Sequence, residues 1–390
     1  MSHTEPRASV SVPITPDTPC ISTLDALADL PAAEWNALAG NDPFLSCEFL
    51  SALETSGCAV PKTGWCPQFL LAHEAGKLVG GMPLYLKSHS YGEYVFDWAW
   101  ADAYARHGLA YYPKLLAAVP FTPITGTRIL AQSDHIAKQL IHAALQLAKN
   151  LNVSSLHCLF PEAAQIPALQ AAGMSVRHGV QFHWQNLDYP DFDAYLSGMN
   201  NEKRKKIKQE RRRVRDAGIS FEWVLGHQAT AAQWAFFFAC YAQTYHAHSS
   251  TPYLNPDFFQ RIAASMGEKI LLVFAVREGK MIAGAFNVFT SERLYGRYWG
   301  AMEQHSGLHF ETCYYQAIEF CIAHRIAVFE GGAQGEHKLA RGFLPVQTLS
   351  THWLAHERLG RAVDDFLVRE QAGLEHYANE LNERSPFKQV

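Results

Sequence analysis

The chain has 390 residues, 48% of them hydrophobic and 18% charged, with a formal net charge of -4. That length predicts two similar-sized domains, and the composition supplies core for both while excluding a disordered or fibrous chain. The acidic balance excludes a global attraction to nucleic acid, so any basic surface must be local.

Residues 1–19, MSHTEPRASVSVPITPDTP, are polar and proline-rich and lack the apolar core of a secretory signal, which predicts a flexible lead over 1–20. No apolar run reaches the roughly 18 to 20 residues that a membrane helix needs. The richest is WAFFFACYA at 234–242. Together these point to a cytoplasmic chain without a membrane span. The eight cysteines form no C-x-x-C pair and show no metal-like spacing to histidine, which predicts reduced, mostly buried thiols and no metal site.

Next along the chain comes a segment that recurs. LLAHEAGKLVGGMPLYLKS (70–88) aligns with VFAVREGKMIAGAFNVFTS (273–291) at a constant offset of 203, matching Ala72 with Ala275, Gly76 with Gly279, Lys77 with Lys280 and Gly81 with Gly284. One further residue of offset brings Tyr91, Gly92 and Tyr94 onto Tyr295, Gly296 and Tyr298. Each copy reads as a β-hairpin with a tight turn and then a third strand rich in Tyr and Trp. A helix and a short strand follow each, at 134–150 and 155–160 in the first copy and at 310–325 and 327–329 in the second. The order strand, strand, strand, helix, strand is therefore used twice.

Within the first copy, DWAWADAY (97–104) would alternate as a strand, packing Trp98 and Trp100 on one face and leaving Asp97 on the other. A buried aspartate must be paired or have its pKa raised, which is the setting of a general base, so Asp97 and Asp102 are candidates. The alternative is a core carboxylate satisfied by backbone amides. PFTPITG (120–126) reads as a rigid loop offering the hydroxyls of Thr122 and Thr125.

Between the copies, NNEKRKKIKQERRRVRDAG (200–218) holds nine basic residues against Glu202 and Glu210 from Asn201 to Arg215. Ile207 and Val214 give a helix one thin apolar stripe, and Gly218 ends it before a strand at 219–225. The helix is either a solvated face leaning on aliphatic stems or a polyanion patch that includes Lys203, Arg204, Lys208 and Arg211.

The last motif is EGGAQGEHKLARGF (330–343), just after an apolar strand. Glu330 or His337 could act as base, the amides of Gly331, Gly332 and Gly335 could meet negative charge, and Lys338 with Arg341 could bind phosphate. The competing reading is a connector in which Arg341 pairs with Glu336 or with an acid at the domain interface.

The duplicated hairpin, the basic helix ending in Gly218 and this late glycine-rich stretch together resemble the FemAB-like predicted N-acyltransferases of the GNAT superfamily. The resemblance extends over PLYLKSHSYGEYVFDWAWADAY (83–104), PKLLAAVPFTPITG (113–126), NNEKRKKIKQER (200–211) and EGGAQGEHKLARGF, and spans residues 30–385. It implies an α/β fold of two tandem GNAT-like acyltransferase domains, 21–190 and 191–385, each a mixed, mostly antiparallel sheet flanked by helices. It also implies transfer of an acyl or aminoacyl group to an amine, with a small molecule or cell-wall precursor as acceptor. No tightly bound cofactor is expected; the donor is acyl-CoA or aminoacyl-tRNA, with tRNA as a further partner. The CoA pyrophosphate turn of such enzymes, [RQ]-x-x-G-x-[GA], falls on QHSGLH, so Gln304 and Gly307 match while His309 replaces the second small residue and would crowd a pyrophosphate. RHGLAY (106–111) departs further. The other function class is a binding protein that keeps this fold without chemistry.

Overall fold

The two hairpins set the frame of the computed structural model, which describes residues 19–332 and 335–388. In each, two consecutive residues take positive φ, Ala75 (48°) with Gly76 (79°) and Glu278 (52°) with Gly279 (73°). This is the mirror-image turn whose twist suits a two-residue hairpin. The lead expected over 1–20 lies outside the described residues as far as residue 18, and Cys20 already opens the first strand.

The first half runs β1 (Cys20–Leu24), α1 (Ala32–Ala39), α2 (Cys47–Thr55), β2 (Trp65–Pro67), β3 (Phe69–Glu74), β4 (Lys77–Met82), β5 (Leu84–Lys87), α3 (Trp98–Arg106), β6 (Lys114–Ala117), β7 (Leu130–Ala131), α4 (Asp134–Asn150), β8 (Ser155–Leu159), α5 (Ile166–Ala171) and β9 (Ser175–Gln185). The second runs α6 (Phe192–Ser197), α7 (Asn201–Asp216), β10 (Ile219–Leu225), α8 (Ala231–Ala247), α9 (Pro256–Met266), β11 (Ile270–Arg277), β12 (Lys280–Phe289) and β13 (Arg293–Ala301). It ends with α10 (Leu308–Phe310), a π turn (Glu311–Tyr315), α11 (Gln316–His324), β14 (Val328–Glu330), a 3-10 turn (Glu336–Arg341), β15 (Leu344–Leu354) and α12 (Glu357–Glu383).

Eleven strands form one sheet, ordered β10-β11-β12-β13-β14-β9-β15-β8-β6-β5-β2, and β1, β3, β4 and β7 form a second. Both halves contain a parallel pair, β6 with β8 and β13 with β14. The halves also exchange strands. β9 of the first pairs with β14 of the second, and β15 of the second lies between β9 and β8.

Helices form where caps and stripes agree. Ser133 accepts the amide of Ile136 at the start of α4, and Ile136, Leu140, Ile141, Ala144, Leu145 and Ala148 are its buried stripe. Asn200 caps α7, whose buried residues are Ile207 and Val214, and Gly218 at φ 73° follows its end.

Two expectations of secondary structure fail. The third strand of the first copy is not at Tyr91–Tyr94 but at β6, some twenty residues later. Pro83 separates β4 from β5, which lie in different sheets, and residues 88–97 form a loop in which Gly92 and Tyr94 have positive φ. DWAWADAY is helical rather than extended. Its alternate alanines favour a helix, and Trp100 and Tyr104, four apart, are the buried pair.

Gly300 marks where α8 presses on β13, since a Cβ there would lie 1.9 Å from the Cys240 carbonyl oxygen. Gly300→Ala is therefore expected to cost at least about 1–3 kcal/mol by overpacking, read as a lower urea midpoint at unchanged slope. Gly373→Ala, inside α12 with open space around it, should instead gain up to about 1 kcal/mol.

Candidate active site

β13 and β14 pair for three residues, ending at Tyr295 with Glu330. Beyond that point this edge of β13 has no strand partner among the described residues. A cavity of about 130 Å³, called the V for the parting of β13 and β14, opens here, lined by Asn287, Arg297, His309, Cys313, Tyr314 and Gly332 among others. The ladder with β12 slips between Phe286 and Asn287, which pair with Tyr298 and Gly296 and leave Arg297 over as a bulge. Bulges re-aim side chains. The Arg297 guanidinium accordingly crosses to the first half, where Nη2 donates to the Phe121 carbonyl at 2.5 Å. The π turn, a form frequent at functional sites, sets Cys313 and Tyr314 on the cavity wall.

Glu330 ends β14 and is 3% exposed. Arg293 Nη1 donates to its Oε1 at 2.9 Å, while Oε2 has no hydrogen-bond partner among the described residues and lies 3.8 Å from His183 Nε2. Burial, opposed by Arg293, pushes the carboxyl up to about 7. Burial lowers His183 to about 4, so at neutral pH the close approach of these two is not an ion pair. Gln181 Oε1 is 3.4 Å from the same His183 nitrogen, and Gln181 also lines a neighbouring cavity of about 290 Å³.

Lys338 is 2% exposed. Its Nζ donates to the Gly332 carbonyl at 2.7 Å and meets no carboxylate among the described residues. Burial lowers the amine to about 8. Of the three glycines expected to offer amides to an anion, Gly331 and Gly332 line the V and Gly335 does not. Gly331 is needed for close approach, because a Cβ there would meet the Phe343 ring at 2.8 Å. His337 is exposed, off the V, with Nε2 3.1 Å from the Tyr314 hydroxyl.

Arg341 is not open to a phosphate. Its Nη2 donates to Glu210 at 2.8 and 3.0 Å, Nη1 donates to the His337 carbonyl, and the guanidinium stands 3.3 Å from the Phe310 ring centre. Nor does it pair with Glu336, which accepts from the Tyr377 hydroxyl.

The first-half candidates stand apart from the V. Asp97 is buried, yet Lys114 Nζ at 2.5 Å and the Tyr111 hydroxyl at 2.6 Å donate to it. Burial alone would raise its pKa, but Lys114 and these hydrogen bonds outweigh burial and hold it below the ordinary carboxylate value. It is a core carboxylate paired through Oδ2, with Oδ1 lacking a hydrogen-bond partner among the described residues. Asp102 is exposed on α3. Thr122 donates to the Pro120 carbonyl within its own loop, and neither it nor Thr125 lines either cavity. Gln304 is exposed, and Gly307, at φ 89°, precedes α10. The His309 ring lies 4.5 Å from that of Trp299 inside the V.

On α7, Lys203 faces Glu202, Arg204 bonds Asn201, and Lys208 pairs with Asp193. Arg211 is clamped between Glu311 and Glu319 over the Phe192 ring. The exposed cations without a partner among the described residues are others, Lys205, Lys206, Arg213 and Arg215. His183, Gln181, Arg293, Arg297 and Glu210 were missed in the sequence. A faint signal existed for two: Arg297 interrupts the aromatic strand RLYGRYWGA, and Glu210 is an acid within a basic run.

Glu330 gives a pH test. With its folded pKa raised from 4.5 to about 7, the folded state holds a proton that the unfolded state has released, so stability falls as pH rises through this window and then levels. The loss is at most about 3 kcal/mol. Glu330→Gln minus wild-type stability, from urea unfolding, should therefore grow between pH 5 and 7. A difference independent of pH would mean that the carboxyl titrates normally.

The sequence matches the FemAB-like family, described as peptidoglycan biosynthesis/recognition, over residues 26–389. No curated protein matches the chain. Among solved structures it is similar to FemX, with TM-score 0.54 and 11% identity over 86% of this chain and 98% of that one. It is similar too to the C-terminal domain of a putative lysylphosphatidylglycerol synthetase from Agrobacterium fabrum, with TM-score 0.53 and 9% identity over 88% and 98%. A tandem GNAT protein from the clavulanic acid biosynthesis pathway matches with TM-score 0.47 and 13% identity over 86% and 98%. No helix among the described residues is long and apolar enough to cross a membrane. The fold is shared with FemX, and the chain belongs to the FemAB-like family of peptidoglycan biosynthesis/recognition.

Proposed function

We propose that this chain is an N-acyltransferase that moves an acyl or aminoacyl group from an ester or thioester donor to an amine, on a peptidoglycan-type precursor, in the cleft between its two halves. The observation that carries this reading is Lys338, a buried amine beside the V with no carboxylate partner among the described residues. A buried cation without a counter-charge is costly, and a ligand that brings negative charge relieves the cost. In acyl transfer that charge develops on the carbonyl oxygen, where a fixed donor in a dry site acts most strongly. Lys338 is such a donor.

Glu330 is the base. One of its oxygens has no hydrogen-bond partner among the described residues, and its pKa of about 7 suits a proton acceptor at neutral pH. The amine attacks the carbonyl carbon and a C–N bond forms. The C–O or C–S bond to the carrier breaks, and the amine proton passes through Glu330 to the departing oxygen or sulfur.

The V is smaller than the roughly 300–1,000 Å³ of pockets that enclose a whole ligand. It suits the acyl or aminoacyl group and leaves the carrier outside. His309 narrows the V at the helix start, where a CoA pyrophosphate would have to approach. That start is flanked by α7, since a Cβ on Gly307 would be 3.3 Å from the Glu210 carbonyl. The exposed Lys205, Lys206, Arg213 and Arg215 of α7 suit the phosphates of a tRNA carrier, which favours aminoacyl-tRNA over acyl-CoA as donor. In this reading residues 21–190 and 191–385 are the two GNAT-like units, and the second receives the donor. The crowding by His309 also favours a second reading, a binding protein whose V takes no donor.

Against charged tRNA and acyl-CoA donors with a uridine-diphosphate-linked cell-wall precursor as acceptor, kcat/KM should be bell-shaped in pH. It rises as Glu330 loses its proton near 7 and falls as Lys338 loses its own near 8. Lys338→Met should lower kcat roughly 10²–10³-fold and remove the alkaline limb. Transfer at the wild-type rate in that variant defeats the proposal. If no donor supports transfer while the precursor raises Tm, the binding reading replaces it.

A further inference from the structure

On the side of β13 packed by α8 lies a third cavity, of about 400 Å³, which shares Arg297, Tyr298 and Trp299 with the V. Tyr94 enters it from the first half, and Tyr241, Tyr245, Tyr253 and Tyr298 from the second. The rings brace one another at steep angles. Tyr241 meets Tyr298 at 5.0 Å and 68°, Tyr241 meets Tyr245 at 4.9 Å and 65°, and Tyr245 meets Tyr253 at 5.8 Å and 84°. Tyr253 is itself stacked on Phe121 of the first half at 4.9 Å and 14°. Such edge-to-face packing holds the rings in place along the cavity wall.

The charge of the lining narrows what fits. Burial raises the pKa of all five phenols, so they are neutral. Among the described residues no aspartate or glutamate lines the cavity, and its permanent charge is Arg297. That guanidinium uses Nη2 on the Phe121 carbonyl and one bond on the Tyr298 hydroxyl, which leaves others of its five N–H donors for a ligand. A cationic ligand, which aromatic cages otherwise suit, would meet a like charge here. A sugar's hydroxyls would find neutral acceptors such as Thr244 and Ser250 but no carboxylate to bind them more strongly. A flat ring suits the tyrosine rings, and an attached anion suits the remaining guanidinium donors.

We propose that this cavity binds a planar aromatic ring carrying an anionic group, with the ring between the tyrosines and the anion on the remaining donors of Arg297. A nucleotide base and an aromatic amino-acid derivative share this chemistry. That the ligand's other end passes the Arg297 bulge into the V rests on the transferase reading, whereas the binding does not.

Isothermal titration calorimetry of the full chain tests it with UMP, AMP and N-acetylphenylalanine, against choline, cyclohexylacetate and N-acetylglucosamine. At least one of the first three should bind more tightly than all of the last three, and which one does so tells a nucleotide from an amino-acid source. Tyr253→Leu and Tyr245→Leu should each weaken that binding roughly tenfold or more. Arg297→Gln should weaken it for the anionic probe while leaving the uncharged counterpart, uridine, adenosine or N-acetylphenylalaninamide, unchanged. Two tyrosine sites keep the test usable if one variant fails to fold. Unchanged affinity in the folded tyrosine variants, tighter binding of choline or the sugar, or no binding of the aromatic anions at millimolar concentration overturns the proposal. Repeating the titration in Glu330→Gln protein separates the two ideas, because loss of transfer with binding retained leaves this site standing.

Discussion

The position of β15 governs the rest of the molecule. The last strand of the second half sits between β8 and β9 of the first, so neither half has a complete sheet without the other. At this seam His157 and His352 face each other, with their Nδ1 atoms 2.7 Å apart, and Ser155 and Ser350 bond the remaining ring nitrogens. Burial keeps both imidazoles neutral, well below their ordinary pKa. One ring must donate and the other accept, which the neutral state allows and double protonation forbids. The seam in turn fixes β9 against β14, which is how His183 comes to face Glu330. The environment of the carboxylate in one half is therefore built by a strand of the other.

Two buried lysines show how the same burial acquires opposite meanings. Lys114 lies under α3 with Glu93 at 2.7 Å and Asp97 at 2.5 Å, and these acids outweigh desolvation to hold it charged, above its ordinary pKa. A lysine so compensated has nothing left to offer a ligand, and its role is to hold the 88–97 loop to β6. Lys338 is as deeply buried, yet its described partner is a carbonyl, and its pKa moves down instead of up. The difference lies in the counter-charge, not in the depth. An uncompensated buried amine next to a cavity is a functional candidate on physical grounds, whereas a compensated one far from any opening is a structural tie.

Local patterns carried much of the fold. The hairpins were legible because a two-residue turn with positive φ demands glycine, and α4 and α7 because caps and apolar stripes lie within one segment. The third strand of the first copy was not, since a match of Tyr91, Gly92 and Tyr94 to Tyr295, Gly296 and Tyr298 records composition, and a loop with positive φ can share composition with a strand. Tyr94 and Tyr298 nevertheless meet, as walls of one cavity rather than as equivalent strand positions. For the site, the glycine-rich stretch pointed to the right place, and Glu330 and Lys338 stand beside the V. Arg341 stands elsewhere because its partner, Glu210, is 131 residues away in the sequence. No local pattern encodes such pairings. The same limit hid His183, whose significance depends on the exchange of β9.

The duplicated frame ends in two different states, and their difference explains why one cavity stays open. In the first half the chain leaves the β6–β8 ladder after Ala117 and rejoins at Gly126, opposite Pro161, with Val119, Phe121 and Ile124 buried in the intervening loop. That half fills the mouth of its parallel pair with its own side chains. In the second half the corresponding edge of β13 has no strand partner among the described residues, and an unpaired edge needs external support to keep its shape. Phe121 supplies it. Its ring packs on Trp65 and stacks on Tyr253, and its carbonyl takes bonds from Arg297 and the Tyr298 hydroxyl. The filled mouth of one half is thus the abutment of the open mouth of the other. Because both anchors come from packed elements rather than from a ligand, the bulge at Arg297 is held in place before anything binds, which lowers the ordering cost that a ligand must overcome.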